Sequence, residues 1–335
     1  KYLLICSVGI ALALLGTFFL MAAVPVARQG IPLTVASLAA EAPGLGRAWL
    51  KAALVLLFVG YGTKAGFFPL HTWLPDAHSE APSPVSALLS GSLLNCALLA
   101  LLRAQQVAVA AGLGPFGRSL FLLFGALSVG MAAVFLVKQS DYKRLLAYSS
   151  VENIGLVSLG LGLGGFGAYG GLLHALNHSL AKSSLFMTSG NFLAAFHSKR
   201  VERVGGARGI IPLSAGLWLA GFLALTGTPP FGAFLSKFIL LRSAASQGRY
   251  GLLVIVLLPV VTIFAGMSAV ILRMVWGTVP PPLPGMPGIR RTDESRWMWL
   301  PPLVLLLVAL GLGIWVPAGL DRVLREIVAT LGGMP

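Results

Sequence analysis

Acidic residues are scarce in this 335-residue chain: ten Asp and Glu stand against 24 Lys and Arg, and all charged residues together make up only 10%. So little charge cannot cover a soluble globule of this size. With 57% hydrophobic residues and a mean hydropathy of +0.88, the composition is that of a membrane protein. Cysteine is nearly absent: Cys6 and Cys96 both lie in apolar runs, which excludes a disulfide framework and leaves packing as their role. A cysteine-held iron–sulfur cluster, a nucleotide-binding glycine loop and the C-x-x-C and H-E-x-x-H metal spacings are likewise missing, so no cofactor and no metal is expected. The basic residues are scattered among helix ends and short loops, which argues against a nucleic-acid partner. The chain opens at Lys1 without methionine and without a signal-peptide pattern, and is expected to be the later part of a longer protein.

What the sequence has in quantity is long apolar runs. A span needs about 20 apolar residues to cross about 30 Å of hydrocarbon. On that measure nine helices are predicted, at about 2–24, 49–70, 84–106, 118–137, 143–163, 168–196, 212–241, 250–277 and 297–316. The fold class is therefore an all-α polytopic bundle, multi-pass in a membrane and surrounded by lipid. After the last span, Asp321, Arg322, Arg325 and Glu326 fall on one side of a helix, and Val323, Leu324, Ile327 and Val328 largely on the other, a pattern that suits an interfacial tail. If successive helices alternate in direction, the Lys1 side carries twelve Lys and Arg, including Arg290 and Arg291, and the opposite side nine, including Arg28. That weak bias puts the Lys1 side in the cytoplasm.

Two predicted spans are interrupted by glycine and proline at membrane depth, in Lys64-Ala65-Gly66-Phe67-Phe68-Pro69 and in Gly227-Thr228-Pro229-Pro230-Phe231-Gly232. Each break lies close to a lysine, Lys64 or Lys237. Paired broken helices entering from opposite sides are the mark of an inverted repeat with an ion path at its midplane. The chain is accordingly divided into 1–106, the latter part of a first repeat, 118–277, a second repeat, and 297–335, a final span with its amphipathic tail.

Charge near the bilayer centre costs at least about 2.5–3.5 kcal/mol per residue, so each instance asks for a function. The instances are Lys64, Glu152, Lys182 and Lys237, joined by the titratable His174 and His178. Burial disfavours a charged lysine and brings proton release within reach of neutral pH. His174, His178 and Lys182 are spaced i, i+4 and i+8, on one stripe of a helix over about 12 Å, as a proton relay requires. A polar stripe that only bonds helices together is the competing reading. Glu152 sits nine residues past Lys143, about 13 Å into its helix, and is the one acid at such depth. The segment HTWLPDAHSEAPSP holds His71, Asp76, His78 and Glu80. It is proline-rich, without metal-ligand spacing, and is predicted to be a loop lining a proton entrance.

At these residues the sequence is no longer anonymous. KAGFFPLHTWLPDAHSEAPSPVSALLSG, DYKRLLAYSSVENIG, HALNHSLAKSSLF and GTPPFGAFLSKF resemble the proton-conducting antiporter-like subunits shared by respiratory complex I, Mrp antiporters and membrane-bound hydrogenases, in order over about residues 1–240. The resemblance implies two inverted five-helix repeats with broken seventh and twelfth helices, of which this chain looks like helices six to fourteen. By the same resemblance, Lys64 matches the lysine before the first break, His174, His178 and Lys182 match the relay of the eleventh helix, and Lys237 matches the terminal lysine or glutamate of the twelfth. The glutamate that partners the first lysine is expected upstream of Lys1. Two departures stand out. Asn95, in GSLLNC, replaces the lysine of a GxLLK pattern, and Glu152, in SSVENIG, is set against the histidine of S-x-S-H-x-G. Both are similar to the branch found with formate hydrogenlyase and hydrogenase-4 type complexes. An asparagine exchanges no proton at accessible pH, so Asn95 is expected to line the pathway along with His71, Asp76 and His78.

The resemblance implies a subunit that is no enzyme by itself and translocates protons while partner subunits carry electrons. The implied partners are other antiporter-like and ion-channel membrane subunits and peripheral iron–sulfur and nickel–iron, or quinone-reducing, subunits. A stand-alone or Mrp-type cation/proton antiporter and a purely structural membrane anchor are the competing expectations.

Overall fold

The computed structural model describes residues 1–25, 34–281 and 293–333; Arg28, Arg290 and Arg291 of the topology count lie outside the described residues. Among the described residues, every named element is a helix. α1 (Tyr2–Ala22) is followed by the short α2 (Val35–Ala40) and by α3 (Arg47–Ala65). Next come α4 (Leu74–Glu80), α5 (Ser83–Leu88) and α6 (Leu94–Ala110), the last two joined through one wide turn at Leu89–Leu93. The second half holds α7 (Gly114–Leu136), α8 (Tyr142–Leu163), α9 (Gly165–Phe196), the single turn α10 (Ala207–Ile210), α11 (Pro212–Thr226) and α12 (Gly232–Ser246). It ends with α13 (Tyr250–Trp276), α14 (Arg296–Ile314) and α15 (Ala318–Thr330).

Among the described residues, seven stretches are long and apolar enough to cross a membrane. Two of the nine predicted segments fall outside that set for reasons visible in the sequence. α9 is diluted by His174, Asn177, His178, Ser179 and Lys182, while the 212–241 segment is split into α11 and α12, of 15 residues each. α8 and α9 form the centre of the bundle. Almost every residue of α8 is buried, whereas α1, α13 and α14 show most of their surface outward, with Leu3, Leu258 and Ile314 among the exposed side chains. Apolar residues on the outside and polar ones within are what hydrocarbon surroundings require.

Central helices approach closely because glycine lets them. A Cβ on Gly160 of α8 would lie 2.7 Å from the Cα of Gly171 on α9, so only a residue without one fits there. The chain reversal into α8 is fixed by Asp141, whose Oδ1 accepts from the backbone N–H of Lys143 at 2.8 Å and of Arg144 at 3.1 Å.

The expected breaks are present. α3 ends at Ala65, with Gly66 in the left-handed region at φ +84°, and α11 ends at Thr226, with Gly227 at φ +82° before α12 resumes at Gly232. The HTWLPDAHSEAPSP segment is not a loop: a tight turn at Leu70–Trp73 leads into α4, and α5 follows at once. Its prolines mislead because Pro75 and Pro84 occupy first-turn positions, where a helix needs no N–H. The amphipathic tail is α15. It buries Leu324 and Val328 against the bundle while Val323 stays exposed, and Tyr169 of α9 donates to Asp321 Oδ1 at 2.8 Å.

Candidate functional site

α8, α9 and α12 converge on one buried polar cluster. Glu152 of α8 is 3% exposed and its Oε1 lies 3.6 Å from the Nζ of Lys237 on α12, a buried ion pair. Lys237 Nζ also donates to the carbonyl of Thr226 at 3.2 Å. That carbonyl is available because α11 stops at Thr226 and the continuing N–H donors are missing. Gly227 completes the arrangement: Lys237 Cδ lies 3.1 Å from where its Cβ would stand, so the break makes room for the lysine stem.

Asn153, the residue after Glu152, links the cluster. Its Nδ2 donates to Ser149 O at 2.6 Å and faces Glu152 Oε2 at 3.3 Å, which leaves Oδ1 toward His174 Nε2 at 3.0 Å. His174 Nε2 is then the protonated nitrogen, because the amide oxygen only accepts. On the other side of the ring, Nδ1 meets Ser236 Oγ of α12 at 2.9 Å, and that hydroxyl also reaches Ala233 O at 3.1 Å.

Just over two turns further along α9, the fully buried Lys182 donates to Leu146 O and to Ser149 Oγ of α8. Its Nζ stands 5.8 Å from the ring centre of Phe186, on which His78 of α4 also stacks at 5.0 Å. Between the two bonded positions lies His178, buried, with neither ring nitrogen bonded to protein; both nitrogens of His78 are in the same condition. The three-residue stripe on α9 thus contains two anchored groups and one unanchored imidazole between them.

The remaining candidates disperse. Asn95 donates to Ser179 Oγ of α9 at 2.7 Å, one turn from Lys182. His71 packs beside the stacked rings of Phe135 and Tyr148, at 5.9 and 6.1 Å between ring centres. Asp76 is ion-paired with Arg144 and, at 3.5 Å, with Lys1, and Glu80 pairs with Lys199 at 2.9 Å, so both acids face one cleft at the ends of α4 and α8 while His71 and His78 pack among aromatic rings elsewhere. Lys64, half-buried in the last turn of α3, meets aromatic groups instead of an acid. It reaches Tyr2 Oη at 3.5 Å and stands 5.0 Å from that ring's centre and 5.9 Å from that of Trp73.

Sequence reasoning missed Asn153, Ser149, Ser236 and Thr226. A signal for the first was present: counted back from Gly155, the histidine of S-x-S-H-x-G falls on Asn153, and Glu152 takes the place of the serine before it. Glu152 is therefore not the histidine's replacement; Asn153 is, and it is Asn153 that contacts His174.

The chain is 37% identical over 322 residues to the hydrogenase-4 component F homolog of Methylacidiphilum infernorum, covering 95% of this chain and 65% of that one. It is 31% identical over 326 residues to the NADH-quinone oxidoreductase subunit N of Desulforudis audaxviator, covering 94% of this chain and 64% of the relative. Among solved structures, a chain of the membrane-bound sulfane sulfur reductase, an archaeal respiratory membrane complex, superposes with a TM-score of 0.83 at 25% identity, covering 99% of this chain and 65% of that chain. The chain thus spans just under two thirds of these relatives' length. Residues 1–263 match the family model described as NADH:quinone oxidoreductase/Mrp antiporter, transmembrane, and the chain belongs to that family.

Proposed function

We propose that this chain translocates protons as an antiporter-like membrane subunit of a redox-driven complex of the hydrogenase-4 or complex I kind, in the inner membrane of a prokaryote. The chain is no enzyme by itself. Peripheral iron–sulfur and nickel–iron, or quinone-reducing, subunits carry the electrons, and other antiporter-like and ion-channel subunits sit beside it in the lipid. The stretches 1–106 and 118–277 are two inverted repeats, a reading supported by a left-handed glycine and a neighbouring lysine at each break.

The observation that carries the reading is the connected run from Lys182 through Ser149 and Asn153 to the Glu152–Lys237 pair, with His174 bonded to Asn153 beside it, all inside the bundle. The chemistry follows from counting donors. Two acceptors, Leu146 O and Ser149 Oγ, meet the two N–H bonds of a neutral Lys182 amine, and among the described residues the third N–H gained with a proton meets no acceptor, so it can be handed on. His174 works in place. When the ring is neutral, the Ser236 hydroxyl donates to Nδ1; when it is charged, Nδ1–H donates to Ser236, whose own proton turns to Ala233 O. At Lys237 the charge is shared between Glu152 and the carbonyl freed by the break. A proton arriving on the histidine side repels the Lys237 ammonium and favours its discharge, with Glu152 holding the opposite charge in place.

The test is purification of the full-length protein with its partners, followed by proton uptake per electron in sealed vesicles. Copurifying redox subunits and uptake that stops when electron flow stops are the expected results. Cation exchange that runs with no electron donor would assign the stand-alone antiporter instead.

A further inference from the structure

The ends of α7 and α13 on the Lys1 side enclose a cleft of about 370 Å³ that the proton run does not use. The two helices run in the same direction and touch where Gly266 of α13 faces Leu136 and Val137 of α7, with contacts of 3.5 to 3.8 Å from its Cβ position. Above that contact the floor is Ala269 and Val270, and the rim carries Lys138, Gln139, Ser140 and Arg273. Arg273 lies seven residues past Gly266, about 10 Å further toward the Lys1 side, which places both cations at the helix ends where hydrocarbon gives way to headgroups.

Three features separate this cleft from an ordinary charged helix end. First, Lys138 and Arg273 are exposed, and among the described residues no hydrogen bond or ion pair engages either side chain. The larger cleft at the ends of α4 and α8, about 740 Å³, has its Arg144 and Lys199 committed to Asp76 and Glu80. Second, the lining has one acid, Glu202, so an excess of one positive charge remains. Third, the wall beneath the cations is apolar and open: Val134, Val137 and Leu272 are all exposed at the outer surface. A single occupant with an anionic head and an apolar tail satisfies both halves.

The geometry points to a binding site for an anionic phospholipid in the cleft between α7 and α13, its phosphodiester held by Lys138 and Arg273 with the Ser140 hydroxyl, and one acyl chain along Val134, Val137 and Leu272. Arginine and lysine together offer forked and point-like donors to a phosphate. Basic recesses between spanning helices on the cytoplasmic side are where such headgroups are recognised.

The experiment is native mass spectrometry of the full-length protein in detergent, titrated with dioleoyl-phosphatidylglycerol or dioleoyl-phosphatidylcholine. The phosphatidylglycerol form should be retained about tenfold better, given two cations at a membrane surface. The double variant Lys138→Gln, Arg273→Gln should bring the two lipids to parity. Lys138→Arg, which keeps the charge, should retain the preference. So should the charge-matched control Arg242→Gln, Arg249→Gln at the opposite side of the bundle. Equal retention in wild type, or a preference that survives the double variant, would overturn the site. Displacement of phosphatidylglycerol by millimolar inorganic phosphate would overturn the lipid assignment in favour of a free-anion site.

Discussion

Glu152→Gln keeps the side chain's shape and hydrogen bonding but leaves the Lys237 ammonium facing a neutral amide across the 3.6 Å now spanned by an ion pair. Coulomb's law over that gap gives roughly 4–5 kcal/mol at an effective dielectric of about 20. Removing one partner of a buried pair costs about 3–5 kcal/mol in practice. Lys237 retains 12% exposure and the Thr226 carbonyl, so the lower end, about 3 kcal/mol, applies. Lys237→Met strands the carboxylate in the same way, with only Asn153 beside it, and should cost a similar amount. The double variant strands nothing and should cost less than the sum of the two, with a coupling of about 2–3 kcal/mol. Unfolding of all four proteins in mixed detergent micelles gives the cycle directly. Effects that add to within about 0.5 kcal/mol would show that the two side chains do not act as a pair, and would remove the shared-charge step at Lys237. The same double variant separates pumping from anchoring: the stability it recovers should bring back no proton translocation.

Asn153→Ala removes the acceptor that fixes the His174 tautomer. It should slow proton uptake several-fold, and Asn153→Asp, which restores an acceptor, should recover part of the rate; equal rates in all three would discard the link. At the tail, Arg325 first and the Tyr169 hydroxyl second hold the Asp321 carboxyl below its ordinary value of 3.8. A depressed carboxyl contributes stability that is present above the unfolded value and lost as pH falls through the folded one. Docking of α15 should therefore be unchanged between about pH 5 and 8 and loosen only below about pH 3.8, as read by protease cleavage ahead of Ala318. Loosening near neutral pH would contradict this.

Much of the architecture was legible because membranes constrain sequence so tightly: the apolar runs marked every span, and glycine with proline marked both breaks. The stripe on α9 was legible from its spacing alone. What periodicity leaves out is which neighbouring helix a polar residue faces. Glu152 and Lys237 are far apart in sequence, and only the packing of α8 against α9 and α12 brings them together. Ser149, Asn153 and Ser236 carry no charge and so gave no signal of cost at membrane depth, although they hold the cluster together. The helices α4 and α5 were hidden by prolines that begin helices as readily as they end them. The unbonded His78 and His178 are visible only in three dimensions.

Lys182→Met tests the central claim most directly. Methionine keeps much of the length and apolar packing of the lysine while removing the group that binds the proton. A hydrogen bond between membrane helices averages about 0.6 kcal/mol, so losing the contacts to Leu146 and Ser149 should leave the bundle folded and its partners attached. The number of protons taken up per electron, measured in vesicles on the intact complex, should then fall steeply while electron transfer to a soluble acceptor persists. An unchanged proton-to-electron ratio in a correctly assembled Lys182→Met complex would contradict the account.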